Sequence, residues 1–195
     1  MNANIKKFKK GNIFIKTYLL TSLVCSIQEI ELRLTQIKKY INIGFSFNID
    51  SKNLTLKFEY IKSGRPFSIL DFNLLGKYLD YIHSENMFHG DIHYRNLMIK
   101  DDRIVLIDWE PCFIQIINGK KIIKSHSKGI HPLDKKNKNI SKFTDKKGYL
   151  NLLKDFLNIR EEQNFPKNFL INHKCEDIFG FMTSHFSEKK VQEIK

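Results

Sequence analysis

Apolar and polar positions change period several times along this chain, and each change predicts an element. Asn2 to Lys10 is basic and weakly alternating, and Gly11-Asn12 is a turn signal. Ile13 to Tyr18 then reads as a strand, so the chain opens with a β-hairpin. From Ser22, the expected N-cap, to Tyr40 the period becomes helical, with Leu23, Ile27, Ile30, Leu34 and Ile37 on one face. Ile41 to Phe47 and Leu54 to Tyr60 predict two strands joined by a polar turn from Asn48 to Asn53. Ile69 to Glu85 is helical again, with Leu75, Leu79 and Ile82 on one face.

The stretch from Phe88 to Pro111 organises the rest. His89 to Asn96 is a polar loop, and Leu97 to Ile99 is a short apolar strand. Asp101-Asp102 is a turn, and Ile104 to Ile107 is a second strand. A further hairpin, Phe113 to Ile123, is marked by Asn118-Gly119 at its tip. Lys128 to Lys142 reads as a polar, basic loop. Asp145 is the expected cap of a helix whose apolar face is Leu150, Leu153 and Phe156. Phe165 to Lys195 predicts one or two short helices, one of them Cys175 to Phe186.

The hairpin after the polar loop places Asp91, Asn96 and Asp108 at its two ends, so three metal- or proton-handling groups are expected to converge. Phosphoryl transfer uses such a set. One carboxylate orients the attacking hydroxyl and accepts its proton. A second carboxylate and an amide oxygen hold Mg²⁺ against nucleotide phosphates. His89-Gly90-Asp91 stands where protein kinases have H-R-D, Asn96 follows at the kinase spacing, and Asp108-Trp109-Glu110 stands where they have D-F-G. The chain therefore resembles the protein-kinase-like phosphotransferases. Its loop, H-G-D-x-H-x-x-N with D-W-E, looks most like aminoglycoside and choline kinases and bacterial lipopolysaccharide kinases.

That resemblance implies an α+β, compact, two-lobed protein-kinase-like fold, with a small antiparallel-sheet N-lobe (1–61) and a mainly helical C-lobe (62–195). It implies Asp91 as catalytic residue, with His89 and His93 beside it, and Asn96 and Asp108 as magnesium ligands. Lys16 stands like the strand lysine that contacts the α/β-phosphates. Glu31, rather than Glu29, is the candidate helix glutamate to pair with it; an exposed helix carboxylate is the other reading of Glu31. Phe58-Glu59-Tyr60-Ile61-Lys62-Ser63-Gly64 resembles the connector between kinase lobes, where the Glu59 carbonyl and the Ile61 amide would bond adenine. Asp145 would brace the catalytic loop, and His83 is expected to pack or be solvated.

The pattern also departs from the family. Ahead of Lys16 the one glycine is Gly11, where kinases place G-x-G-x-x-G, so the phosphate lid is expected to be missing or replaced by the first hairpin. The segment after Asp145 is short for the helical substrate domain of aminoglycoside or choline kinases. Ser125 and Ser127 are regulatory candidates by position alone. A chain that starts late, lacking its first strands, is a further reading.

Composition changes this picture little. The chain has 195 residues and a net charge of +12 from 33 basic and 21 acidic residues. The Lys-, Ile- and Asn-rich character is spread throughout, no basic stripe carries interleaved aromatics, and no nucleic-acid partner is expected. Contact with anionic lipid or glycan fits the charge. Cys25, Cys112 and Cys175 are odd in number and far apart, which predicts reduced thiols, no disulfide or zinc site, and a cytoplasmic setting. The apolar run from Tyr18 to Ile27 faintly resembles a lipoprotein signal, but Lys16 interrupts the apolar region and Val24 is not small, so this run is read as part of the fold.

The resulting expectation is an ATP- and Mg²⁺-dependent kinase. It would transfer a γ-phosphate to a hydroxyl of a small molecule, a glycan or lipopolysaccharide, or a protein. The rival is a weak or inactive pseudokinase serving as a binding or scaffold module.

Overall fold

The structure is a computed structural model that describes residues 5–62, 64–117, 119–123, 130–137, 139–159 and 168–192. Ser125 and Ser127 lie outside the described residues, as do Ser63 of the connector and Asn118 of the second hairpin's tip. The chain forms two units. The first takes Met1–Arg65 and Met98–Lys124, and the second takes Pro66–Leu97 and Ser125–Lys195. The polypeptide crosses between them twice more than a single boundary at Ile61 would require, because the hairpin after the His89–Asn96 loop packs with the first unit.

The first unit is built on a four-stranded antiparallel sheet of order β1-β2-β4-β3. Its strands are β1 (Ile5–Lys10), β2 (Ile13–Leu19), β3 (Phe45–Ile49) and β4 (Asn53–Glu59). Alternation places Tyr18, Leu54 and Leu56 fully inside the core on one sheet face. Helix α1 (Ile27–Tyr40) contributes Ile30, Leu34 and Ile37 to the same core. It starts four residues later than the N-cap expected at Ser22. Ser26 caps it instead, in a reciprocal box with Glu29, while Ser22 lies in a single 3₁₀ turn. Ile27 is consequently half exposed rather than on the core face. Two short hairpins complete the unit: β5 (Leu97–Lys100) with β6 (Arg103–Leu106), and β7 (Ile114–Ile117) with β8 (Lys120–Ile123).

The cysteine expectation is corrected here. Cys25 and Cys112 form a disulfide, with Cα atoms 6.4 Å apart. Their sequence separation of 87 hid the pairing. It arises because Leu23 forms a β-bridge with Gln115, which brings the start of α1 beside the segment after Trp109. Cys175 is free and buried. Cysteine usage therefore no longer argues for a cytoplasmic setting.

The second unit is helical. Helix α2 (Ile69–Ser84), capped by a Ser68/Asp71 box, buries Phe72, Leu75, Leu79 and Ile82. Against it pack α4 (Lys142–Phe156) and α6 (Cys175–Gln192). Asp80 of α2 accepts from the Cys175 and Glu176 amides at 2.8 and 2.9 Å, satisfying the first turn of α6. The region expected to be loop contains α3 (Pro132–Asn137), with proline in its favoured first position. The short α5 (Phe169–Asn172) precedes α6. Among the described residues no helix is long and apolar enough to cross a membrane.

Candidate active site

The loop from His89 to Asn96 is held by one carboxylate. Asp145 is fully buried, and it accepts the amides of His89 at 2.7 Å and Gly90 at 2.6 Å, plus His83 Nε2 at 3.0 Å. Burial alone would raise its pKa, but the His83 and amide hydrogen bonds outweigh that and hold it below the usual carboxylate range. The cap expected at Asp145 is made by Ser141 instead. Asp145 lies inside the first turn of α4, facing the loop. Gly90 has φ +83°, a conformation that disfavours any residue with a Cβ, and this turns its amide onto Asp145. Gly148, one turn further along α4, lets the helix meet the loop. A Cβ there would come within 2.6 Å of the Ile92 carbonyl oxygen.

Within this braced loop the polar side chains are ordered around Asp91. His89 is buried, and its Nδ1 accepts the Asp91 amide at 3.3 Å. His93 Nδ1 accepts the Arg95 amide at 3.2 Å, so a neutral ring carries its proton on Nε2, which donates to Asp91 Oδ2 at 3.3 Å. Asn96 Nδ2 donates to the Asp91 carbonyl at 2.9 Å and to its Oδ2 at 3.3 Å. The Asn96 amide nitrogen is thus turned to Asp91, which leaves Oδ1 as the acceptor atom of its side chain.

A second cluster lies in the first unit. Lys16 of β2 is 1% exposed. Its ammonium forms an ion pair with Asp108 and lies 3.5 Å from Glu110 Oε1. Tyr18, two residues along the same face, donates to Glu110 Oε2 at 3.1 Å. Burial, then the Glu110 charge, drives the Tyr18 pKa well up, so the phenol stays a donor. Arg33 of α1 donates to the Glu110 carbonyl at 3.4 Å. Asp108 has φ +66°, a strained conformation for a residue with a Cβ. Trp109 is fully buried and donates to the Leu106 carbonyl at 3.1 Å.

No family model matches the chain. The chain is similar to the KEOPS complex subunit Bud32 of Pyrococcus abyssi. It is 20% identical over 132 residues, covering 63% of this chain and 58% of that protein. The chain thus spans less than two thirds of that relative's length. The match, the α+β architecture and the small antiparallel sheet of the first unit agree with one another. The fold is protein-kinase-like.

Kinase-like spacing made Glu31 a candidate partner of Lys16, with an exposed helix carboxylate as the other reading. Glu31 lies on the exposed side of α1, and Glu29 is engaged in the N-cap box. Glu110, which the sequence reading left without a role, supplies the second carboxylate beside Lys16. Its signal was an acidic residue where D-F-G has glycine. Glu59 ends β4, and its side chain is held by Lys100 at 2.7 Å and the Gly44 amide at 3.0 Å. These contacts lower its pKa, with Lys100 first. Ile61 follows β4 and is half-buried. Elsewhere, Asp80, His83 and Cys175 gather ligand-type atoms within 4.8 Å. Each already has a structural explanation in the α6 cap, the Asp145 brace and a thiol whose pKa burial pushes up.

Of the oxygen donors that a hard divalent cation prefers, the first unit, taken by itself, carries the Asp108 carboxylate, and the second the Asn96 amide oxygen.

Proposed function

We propose that the protein is an ATP- and magnesium-dependent phosphotransferase acting on a hydroxyl. The observation that carries this reading is Lys16: a lysine only 1% exposed, on the sheet face of a kinase-like first unit, ion-paired to Asp108. A buried ammonium and a strained aspartate are costly to maintain, and such features concentrate at functional sites.

Mg·ATP would supply the phosphoryl group together with the cation that neutralises it. Asp91 orients the acceptor hydroxyl and takes its proton. The Nε2–H of His93 and the Nδ2–H of Asn96 fix the direction of its carboxylate. His89 is a positioning residue, because its ring holds the Asp91 amide. Asn96 and Asp108 hold the cation, Lys16 steadies the phosphates, and the backbone of Glu59 and Ile61 takes adenine. Rate enhancement then comes from positioning and charge stabilisation.

The H-G-D-x-H loop favours a small alcohol or glycan, whereas the Asp145 brace favours a protein acceptor. Bud32 is named as a subunit of a complex, and a protein partner is part of this proposal. The non-catalytic reading, a scaffold, is favoured by one observation: the basic β1–β2 hairpin stands where kinases have a glycine-rich loop.

Asp91→Asn separates the two readings. Nucleotide affinity should hold, while ATP turnover and phosphate transfer fall about 10²–10⁴-fold, the range for losing a positioned acid–base group. Turnover equal to wild type would refute the role of Asp91. No turnover in the wild type, with Mg·ATP bound, would favour the scaffold.

A further inference from the structure

We propose that Lys7 is a second phosphate-binding lysine, and that β1 presents it to the terminal phosphates of a nucleoside triphosphate in place of a glycine-rich loop. The inference deepens the nucleotide reading above and rests on it. Lys7 and Lys16 are directly opposite in the β1–β2 register, so both side chains leave the same sheet face, the one that carries Tyr18. Like charges placed opposite each other in a sheet repel and are normally avoided. Here both ammoniums turn to one carboxylate. Lys7 Nζ is 4.0 Å from Asp108 Oδ2, while Lys16 pairs with Oδ1.

That arrangement is an anion site filled by a side chain. If Asp108 turns to a cation, its two oxygens leave two ammoniums facing the same space. Lys16 keeps Glu110, which Tyr18 also bonds, so Lys7 is the cation whose carboxylate contact is given up. The two lysines also differ in freedom. Lys16 is buried, whereas the Lys7 side chain is 47% exposed. A half-exposed lysine is a point charge on a flexible four-carbon stem, suited to following phosphate oxygens rather than framing them rigidly. Its neighbours do not compete. Lys9 lies over the Tyr60 ring at 3.7 Å, and Lys6, opposite Thr17, leaves the other sheet face.

The test is calorimetric titration of the full chain with Mg·ATP and with AMP, in wild type, Lys7→Gln, Lys7→Arg and Lys6→Gln. Lys6→Gln makes the same charge change on the opposite face of β1, so it measures the long-range field alone. Lys7→Gln is expected to weaken Mg·ATP about tenfold, as for a lost charge-assisted hydrogen bond, and to leave AMP within about twofold. Lys7→Arg should retain most of the affinity. Equal losses in Lys7→Gln and Lys6→Gln, or an equal loss for AMP, would overturn the assignment of Lys7 and leave the nucleotide site standing. A wild-type chain that binds neither ligand would overturn both.

Discussion

The His89–Asn96 loop and the Lys16 cluster are secured by opposite means. The loop hangs by its backbone: the His89 and Gly90 amides converge on one buried carboxylate, Asp145. The cluster is held by side-chain charge. Lys16, Asp108, Glu110 and Tyr18 come from segments about ninety residues apart in sequence. A backbone brace fixes geometry whatever the pH near neutrality, whereas a charge cluster can exchange partners when a ligand brings charge of its own. The loop is thus suited to positioning a nucleophile and the cluster to receiving an anion with its cation.

Asp145 carries the largest expected effect. Replacement by Ala leaves two buried amides and His83 unsatisfied and should cost about 3–5 kcal/mol, as when one partner of a buried charged pair is removed. Denaturant unfolding reads this directly. The pH dependence carries a sign. The folded-state pKa is depressed, so the stabilisation is present above the ordinary carboxylate range and is lost as pH falls through the folded value. Wild type should therefore lose stability on acidification more steeply than Asp145→Asn.

The disulfide comes next. Removing it in a Cys25→Ala, Cys112→Ala pair should lower stability by about 2–4 kcal/mol, or lower Tm by several degrees. The His89–Asn96 loop belongs to the other unit, so its hydrogen-exchange protection should change less than that of α1. Glu110→Gln is a smaller change. It keeps a hydrogen-bond acceptor but removes a charge beside Lys16, at about 1–2 kcal/mol, and should lower the Tyr18 pKa, which ultraviolet titration follows. Gly90→Ala is smallest, at about 1 kcal/mol for a Cβ in the left-handed region, read from the unfolding midpoint.

The same contrast explains what the sequence made legible. The loop motif is local: His89, Asp91, His93 and Asn96 lie within eight residues, so their spacing carries their mutual geometry. The first hairpin, β4 and α2 were legible for the same reason, since turn residues and period are short-range signals, whereas β3 begins four residues later than the strand expected from Ile41. Partners across long separations were not. Glu31 has the right helical spacing for a lysine partner, yet the cap at Ser26 starts α1 later than Ser22 would, and Glu31 faces outward. Glu110 lies two residues after Asp108 and, like it, meets Lys16, which strand period does not reveal. The Cys25–Cys112 pairing follows from a single β-bridge, Leu23 with Gln115, a contact without a sequence signature.

The most direct measurement uses the one tryptophan in the chain. Trp109 is buried and adjoins Asp108, so its emission reports on the Lys16 cluster. Mg·ATP would be titrated into the wild type and into Asp108→Asn, with fluorescence followed at constant ionic strength. The account predicts a saturable, magnesium-dependent change in the wild type that is lost in the variant. No change in the wild type, with a melting temperature insensitive to Mg·ATP, would contradict it.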